Sequence, residues 1–149
     1  MMKDKDKDHD TELDRQKLIK MAMAELDHAY APYSGFYVAA AVLMDNGRVY
    51  TGVNIENASY PATVCAERNG IFKAISEDKR AKIVAIAVVG GKDGKITDYC
   101  APCGVCRQVM REFGDPATMK VIVAKTPADY QEMTLAELLP LSFGPEMVK

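Results

Sequence analysis

The stretch Ile83-Val84-Ala85-Ile86-Ala87-Val88-Val89 decides the architecture of this 149-residue chain. It is an unbroken apolar run of strand length, rich in β-branched residues, and reads as a strand covered on both faces. Such a strand needs helices beside it, and helical spacing appears on both flanks. Before it, residues 65–76 place Ile71, Ala74 and Ile75 on one face. After it, residues 103–113 read as a second helix, closed by Gly114-Asp115-Pro116. Val121-Ile122-Val123-Ala124 then gives another apolar strand. Two strands joined through a helix imply a crossover and a partly parallel sheet.

Working further outward, residues 11–30 form an amphipathic pattern through Leu13, Leu18, Ile19, Ala22, Leu26 and Ala29. Thr11 is the expected cap, with Glu12 and Asp14 in the first turn. Pro32, within Tyr30-Ala31-Pro32-Tyr33-Ser34-Gly35, ends the helix by biasing Ala31 away from helical geometry. Residues 36–44 and 48–55 read as strands joined by the hairpin signal Asp45-Asn46-Gly47. Residues 56–64 are a loop, and Gly90-Gly91-Lys92-Asp93-Gly94 is expected to be a flexible turn. Thr134 opens a short helix with Glu137 completing a capping box, and Pro140 limits it. The expected order is helix, hairpin, helix, strand, helix, strand, short helix, an α/β fold.

The length suits one domain, expected over residues 11–149, with roughly 70% of the unfolded surface buried. Hydrophobic residues at 48% and charged residues at 27% exclude a disordered or collagen-like chain. The net charge of −2 gives no strong pull on nucleic acid or an anionic membrane. No apolar run approaches the roughly 20 residues that span a bilayer. Residues 1–10 alternate Lys and Asp and are expected to be a disordered tail, His9 included. No apolar secretory segment follows the first basic residues, so the expected compartment is the reducing cytoplasm. There, cysteines more often bind metal or react than pair. They stand at 65, 100, 103 and 106.

Two fragments carry the chemistry. Cys65-Ala66-Glu67-Arg68 opens one predicted helix and Pro102-Cys103-Gly104-Val105-Cys106-Arg107-Gln108 opens another. Cys103 and Cys106, three apart on a first turn, present both thiolates on one face. Helix N-termini favour the ionised thiolate, and Cys65 can add a third from the other helix. Three protein ligands with a fourth position left for water describe a catalytic zinc site. Glu67 is the candidate carboxylate to handle the water's proton. On a regular helix, positions i and i+2 point about 200° apart. Cys65 and Glu67 therefore serve one site only if it lies beyond the helix end.

These fragments resemble the zinc nucleoside deaminases, specifically the small cytidine deaminases; the zinc-deaminase signature includes a non-ligand glutamate. Tyr30-Ala31-Pro32-Tyr33-Ser34, Asn54-Ile55-Glu56-Asn57-Ala58-Ser59-Tyr60 and Glu137-Leu138-Leu139-Pro140 add to the resemblance, which spans roughly residues 14–145. It implies a three-layer fold with a mixed five-stranded sheet flanked by helices. It implies one zinc per chain on Cys65, Cys103 and Cys106, with Glu67 shuttling protons as water adds to C4 of cytosine and ammonia leaves. Asn54 and Glu56 match residues that bind the ribose hydroxyls, Phe36 an aromatic against the base, and Ala66 a main-chain contact to the pyrimidine. Phe143 matches an aromatic lent by another subunit of a homotetramer, through a looser motif, Leu141-Ser142-Phe143. Arg68 and Arg107 match basic residues near the thiolates. A cationic donor to sulfur would offset the net −1 of zinc with three thiolates. The implied role is salvage deamination of cytidine and 2′-deoxycytidine, with no nucleic-acid or membrane partner.

Other readings stay open at this level. The same scaffold could act on a blasticidin S-type antibiotic or on cytosine in a polynucleotide. Cys100 could join the other three in an iron–sulfur or closed zinc module, or be a bystander. Glu67 could be a first-turn acid, Asn54 and Glu56 turn residues, and Phe36 and Phe143 core aromatics. His28 reads as a surface or interface residue, and Met21, Met23, Met110 and Met119 as core filler. Gly90-Gly91-x-x-Gly94 lacks the spacing of a nucleotide loop.

Overall fold

The computed structural model describes residues 11–149; the charged tail and His9 lie outside the described residues. Helix α1 spans Arg15–Glu25, followed by a tighter turn over Leu26–His28. Strands β1 (Phe36–Met44) and β2 (Val49–Val53) form the hairpin, and Gly47 takes the positive φ of 86° that its turn requires. Helix α2 (Ala66–Glu77) leads to β3 (Ile83–Lys92), and α3 (Gly104–Phe113) leads to β4 (Lys120–Thr126). Strand β5 (Asp129–Thr134) and the short helix α4 (Leu135–Leu138) follow.

The five strands make one mixed sheet in the order β2-β1-β3-β4-β5. β1 runs antiparallel to both β2 and β3, so α2 links two strands of like direction across it. α3 crosses directly between the parallel neighbours β3 and β4. Side chains alternate across the sheet with the strand period of two. Ala40, Val42, Met44, Ile86, Val88 and Val121 face α2 and α3, where Ile71, Ala74, Cys106 and Met110 meet them. Ala39, Ala41, Ala85, Ala87 and Ala124 face the other way, against Leu18, Ile19, Ala22 and Leu26 of α1. The alanines let α1 lie close, while the branched residues fill the deeper layer under α2 and α3. Each large aliphatic side chain buried there contributes about 1.5–3 kcal/mol. Met110 and Met119 are fully buried; Met21 and Met23 are only partly so.

Three local expectations are corrected. Thr11 does not cap α1; its hydroxyl donates to the Asp45 carbonyl at 2.8 Å, and the Asp14 carboxylate accepts from Lys17 N at 3.1 Å. An ionised acceptor next to the helix start wins over a hydroxyl drawn off to the hairpin. Gly90 and Gly91 are strand residues paired with Val38 and Tyr37, not a turn. A Cβ on Gly90 would stand 3.0 Å from both Cys100 Sγ and Tyr37 O, so glycine here reflects close packing. The turn comes later, at Asp93 and Gly94, with φ of 55° and 81°. Strand β5 escapes the sequence pass because Asp129-Tyr130-Gln131-Glu132-Met133-Thr134 is a polar edge strand. The capping box of Thr134 and Glu137 forms as expected.

One contact sets where α2 begins. A Cβ on Gly52 of β2 would collide with the main chain of Ala66 and Gly70, and one on Gly70 would meet Val42 Cγ2 at 3.0 Å. This glycine seam seats the start of α2 directly on β2. Gly52→Ala is expected to destabilise the fold by about 1–3 kcal/mol or more, as overpacking does. Differential scanning calorimetry reads this as a fall of roughly 2–4 °C per kcal/mol. An unchanged melting temperature would show that the seam has slack.

Candidate active site

Cys65 and Cys103 each occupy the last extended residue before a helix, with φ/ψ of −69°/156° and −72°/170°. Neither cysteine caps its helix: no first-turn N–H donates to the sulfur of Cys65 or Cys103. Cys106 lies one turn into α3 and is fully buried. The three Sγ atoms lie within 4.8 Å of one another, with Cys65 and Cys103 at 3.8 Å. Tetrahedral zinc with bonds of about 2.3 Å holds its sulfurs about 3.8 Å apart, so the donor set fits that ion. Cys100 is not in this group. It packs half-buried at Gly90, and burial pushes its thiol up to about 11.

The angular difficulty between Cys65 and Glu67 disappears because Cys65 is outside the helix. Glu67, in the first turn of α2, is only 3% exposed. Burial raises its carboxyl to about 7, and the Cys65 charge pushes the same way. The Cys106 thiol, hydrogen-bonded to Cys65, holds Cys65 down to about 5, while Cys106 itself is driven up. Arg68 Nη2 donates to Cys65 Sγ at 3.4 Å. Its Nε is buried with no partner, the only such side-chain N or O among the described residues.

Arg107 behaves differently from Arg68. Its Nε donates to Pro102 O and its Nη1 to Leu138 O, both at 2.8 Å. These part-buried carbonyls, rather than sulfur, take its hydrogen bonds. Arg107 thus ties the Pro102 turn to the C-terminal segment. Gln108 Nε2 extends that tie to Phe143 O at 2.9 Å, and Arg111 to Ser142 Oγ at 2.7 Å and the Glu146 carboxylate. One face of α3 thereby straps down residues 138–146. At Gly144 the Arg111 guanidinium occupies the space a Cβ would need, so glycine lets the two lie close together. Phe143 itself is 61% exposed and belongs to no core of this chain.

The remaining candidates surround one turn. Asn54 is buried at the end of β2; its Oδ1 accepts from Val38 N at 2.9 Å and its Nδ2 donates to Phe36 O at 2.8 Å. Phe36 is exposed at the start of β1. The Glu56 carboxylate accepts from Tyr33 N at 2.9 Å, Ser34 N at 3.1 Å and Ser34 Oγ. The Ser34 hydroxyl, foremost, holds Glu56 below its usual range. Ala66 is fully buried as the first residue of α2. His28 is exposed, its Nδ1 3.1 Å from the Glu25 carboxylate. The strap from Arg107 to Arg111 and the bonds of Ser34 were not foreseen. For Ser34 the signal was there: a serine two residues before an exposed strand start is a common side-chain turn.

A family model described as the cytidine and deoxycytidylate deaminase zinc-binding region matches residues 13–125. The chain is 51% identical to the cytidine deaminase of Halalkalibacterium halodurans, over 90% of its own length and 97% of that protein. It superposes on the crystal structure of cytidine deaminase from Burkholderia pseudomallei with a TM-score of 0.78 at 41% identity, covering 88% of this chain and 100% of that one. For the Mycobacterium tuberculosis structure the TM-score is 0.74 at 38% identity, covering 89% and 99%. With a trio of sulfurs spaced for zinc at two helix starts, the chain belongs to the family of zinc-binding cytidine and deoxycytidylate deaminases.

Proposed function

We propose that this protein catalyses the hydrolytic deamination of cytidine and 2′-deoxycytidine, giving uridine or 2′-deoxyuridine and ammonia. The observation that carries the reading is a buried carboxylate, Glu67, two residues after Cys65, one of three cysteine sulfurs that two helix starts bring within the span of one metal ion. Cys65, Cys103 and Cys106 hold one zinc per chain. Zinc held there supplies Lewis acidity, which makes water a usable nucleophile at neutral pH. Glu67 accepts a proton from the water as it adds to C4 and returns one to the departing amino group. The main chain of Ala66 contacts the pyrimidine and Phe36 packs against it. Asn54 and Glu56 bind the ribose hydroxyls. Arg68 draws charge from Cys65 sulfur, while Arg107 acts one step back, fixing the turn that presents Cys103.

Residues 11–149 work as one domain in a homotetramer with shared sites, Phe143 reaching a neighbour. Exposed apolar groups support this: Tyr60 at 73%, Phe143 at 61% and Leu141, fully out. A free nucleoside suits the net charge of −2 better than a polynucleotide. Among the described residues no helix is long and apolar enough to cross a membrane. A salvage role on free nucleosides suits a reducing cytoplasm, and the free Cys65, Cys103 and Cys106 support that reading.

The test pairs metal analysis with the ultraviolet spectrum of cytidine incubated with purified protein. One zinc per chain and conversion to uridine is the expected result. One zinc per chain with cytidine and 2′-deoxycytidine both unchanged would overturn the nucleoside reading.

A further inference from the structure

The turn over residues 30–35 has no part yet in the chemistry, but it holds everything proposed to touch the sugar. Tyr30 N donates to Asn54 O and Glu56 N to Tyr30 O, each at 2.9 Å, so the turn is laced to the chain carrying Asn54 and Glu56. It is braced from behind: Lys92 Nζ donates to Ser34 O at 2.7 Å and Asp93 N to Gly35 O at 2.7 Å. Gly35 permits this course with φ of 68°. At the centre is Ser34. Its Oγ accepts from Phe36 N at 3.0 Å, which directs the hydroxyl proton away from Phe36 and onto the Glu56 carboxylate.

An ionised carboxylate offers about four acceptor directions. Tyr33 N, Ser34 N and Ser34 Oγ take three on Glu56, on both oxygens. One direction is left for a sugar hydroxyl, and the Ser34 hydroxyl decides which. A carboxylate fixed in this way does not lose rotational freedom on binding, which is the gain of preorganisation.

We propose that Ser34 is a positioning residue for the ribose end of the substrate, orienting the Glu56 carboxylate through its hydroxyl. The proposal rests on Glu56 being a ribose ligand. Ser34 does not touch the reacting atoms, so its effect falls on nucleoside affinity rather than on turnover.

The experiment measures KM and kcat for cytidine, and the inhibition constant of 2′,3′-dideoxycytidine, which lacks the 2′- and 3′-hydroxyls. The proteins are the zinc-loaded parent, Ser34→Ala, Ser34→Thr and Glu56→Ala. Ser34→Ala is expected to raise KM for cytidine about tenfold with kcat little changed, and to alter dideoxycytidine binding by no more than about twofold. Ser34→Thr, keeping the hydroxyl, regains most of the loss. Glu56→Ala is expected to erase the preference for cytidine over dideoxycytidine. If Ser34→Ala weakens both nucleosides equally, or leaves cytidine unaffected, while Glu56→Ala erases the preference, Ser34 does not position Glu56 and the proposal alone falls. If Glu56→Ala keeps the preference, the ribose reading of Glu56 fails and takes the Ser34 proposal with it.

Discussion

Glu67→Ala will keep its zinc and lose turnover by about 10²–10⁴-fold, the usual contribution of a positioned acid–base group. The loss should appear in kcat, because Glu67 is assigned to proton movement rather than to holding the sugar. Zinc should stay because the sulfurs of Cys65, Cys103 and Cys106 form the donor group without Glu67. The fold should also survive. A carboxylate at 3% exposure is costly to bury, so removing it relieves a desolvation penalty. The melting temperature is expected to match or exceed that of the parent. Steady-state kinetics, metal analysis and a thermal melt on one preparation check all three. A variant with near-parental kcat would remove Glu67 from the mechanism.

Cys106→Ala and Cys100→Ser should separate as sharply as any two cysteine changes can. Cys106 is fully buried and one of three sulfurs within 4.8 Å. Its loss leaves two donors, so zinc per chain should fall toward zero and activity with it. A lower melting temperature should follow, because an ion bound only by the folded protein adds to its stability. Cys100 lies outside the trio, so Cys100→Ser should keep zinc and activity, at the modest cost of a half-buried hydroxyl. Loss of zinc in both variants would bring back a four-cysteine site.

Much of this was legible in the residues. The run from Ile83 declared a strand buried on both faces, and Asp45-Asn46-Gly47 declared the hairpin, because each signal is strong and local. β5 was not legible, since an edge strand with one wet face shows little apolar periodicity. Gly90 misled because the reason for a glycine can lie in a neighbour distant in sequence, here Tyr37 O and Cys100 Sγ. The sulfurs were identifiable by spacing, but their meeting depended on Cys65 standing just outside α2, a matter of one residue at a helix boundary. The partners of Arg107 were beyond reach. Its motif put it beside thiolates, yet its hydrogen bonds go to carbonyls, one of them at Leu138.

The strap along α3 bears on how the protein is handled at the bench. Arg107, Gln108 and Arg111 grip the chain from Leu138 to Glu146. A purification tag or fusion partner joined directly after Lys149 would therefore pull on hydrogen bonds that set the pose of Phe143. Most of both main cores lies outside this segment, so expression yield and a thermal melt would not by themselves report damage to the strap.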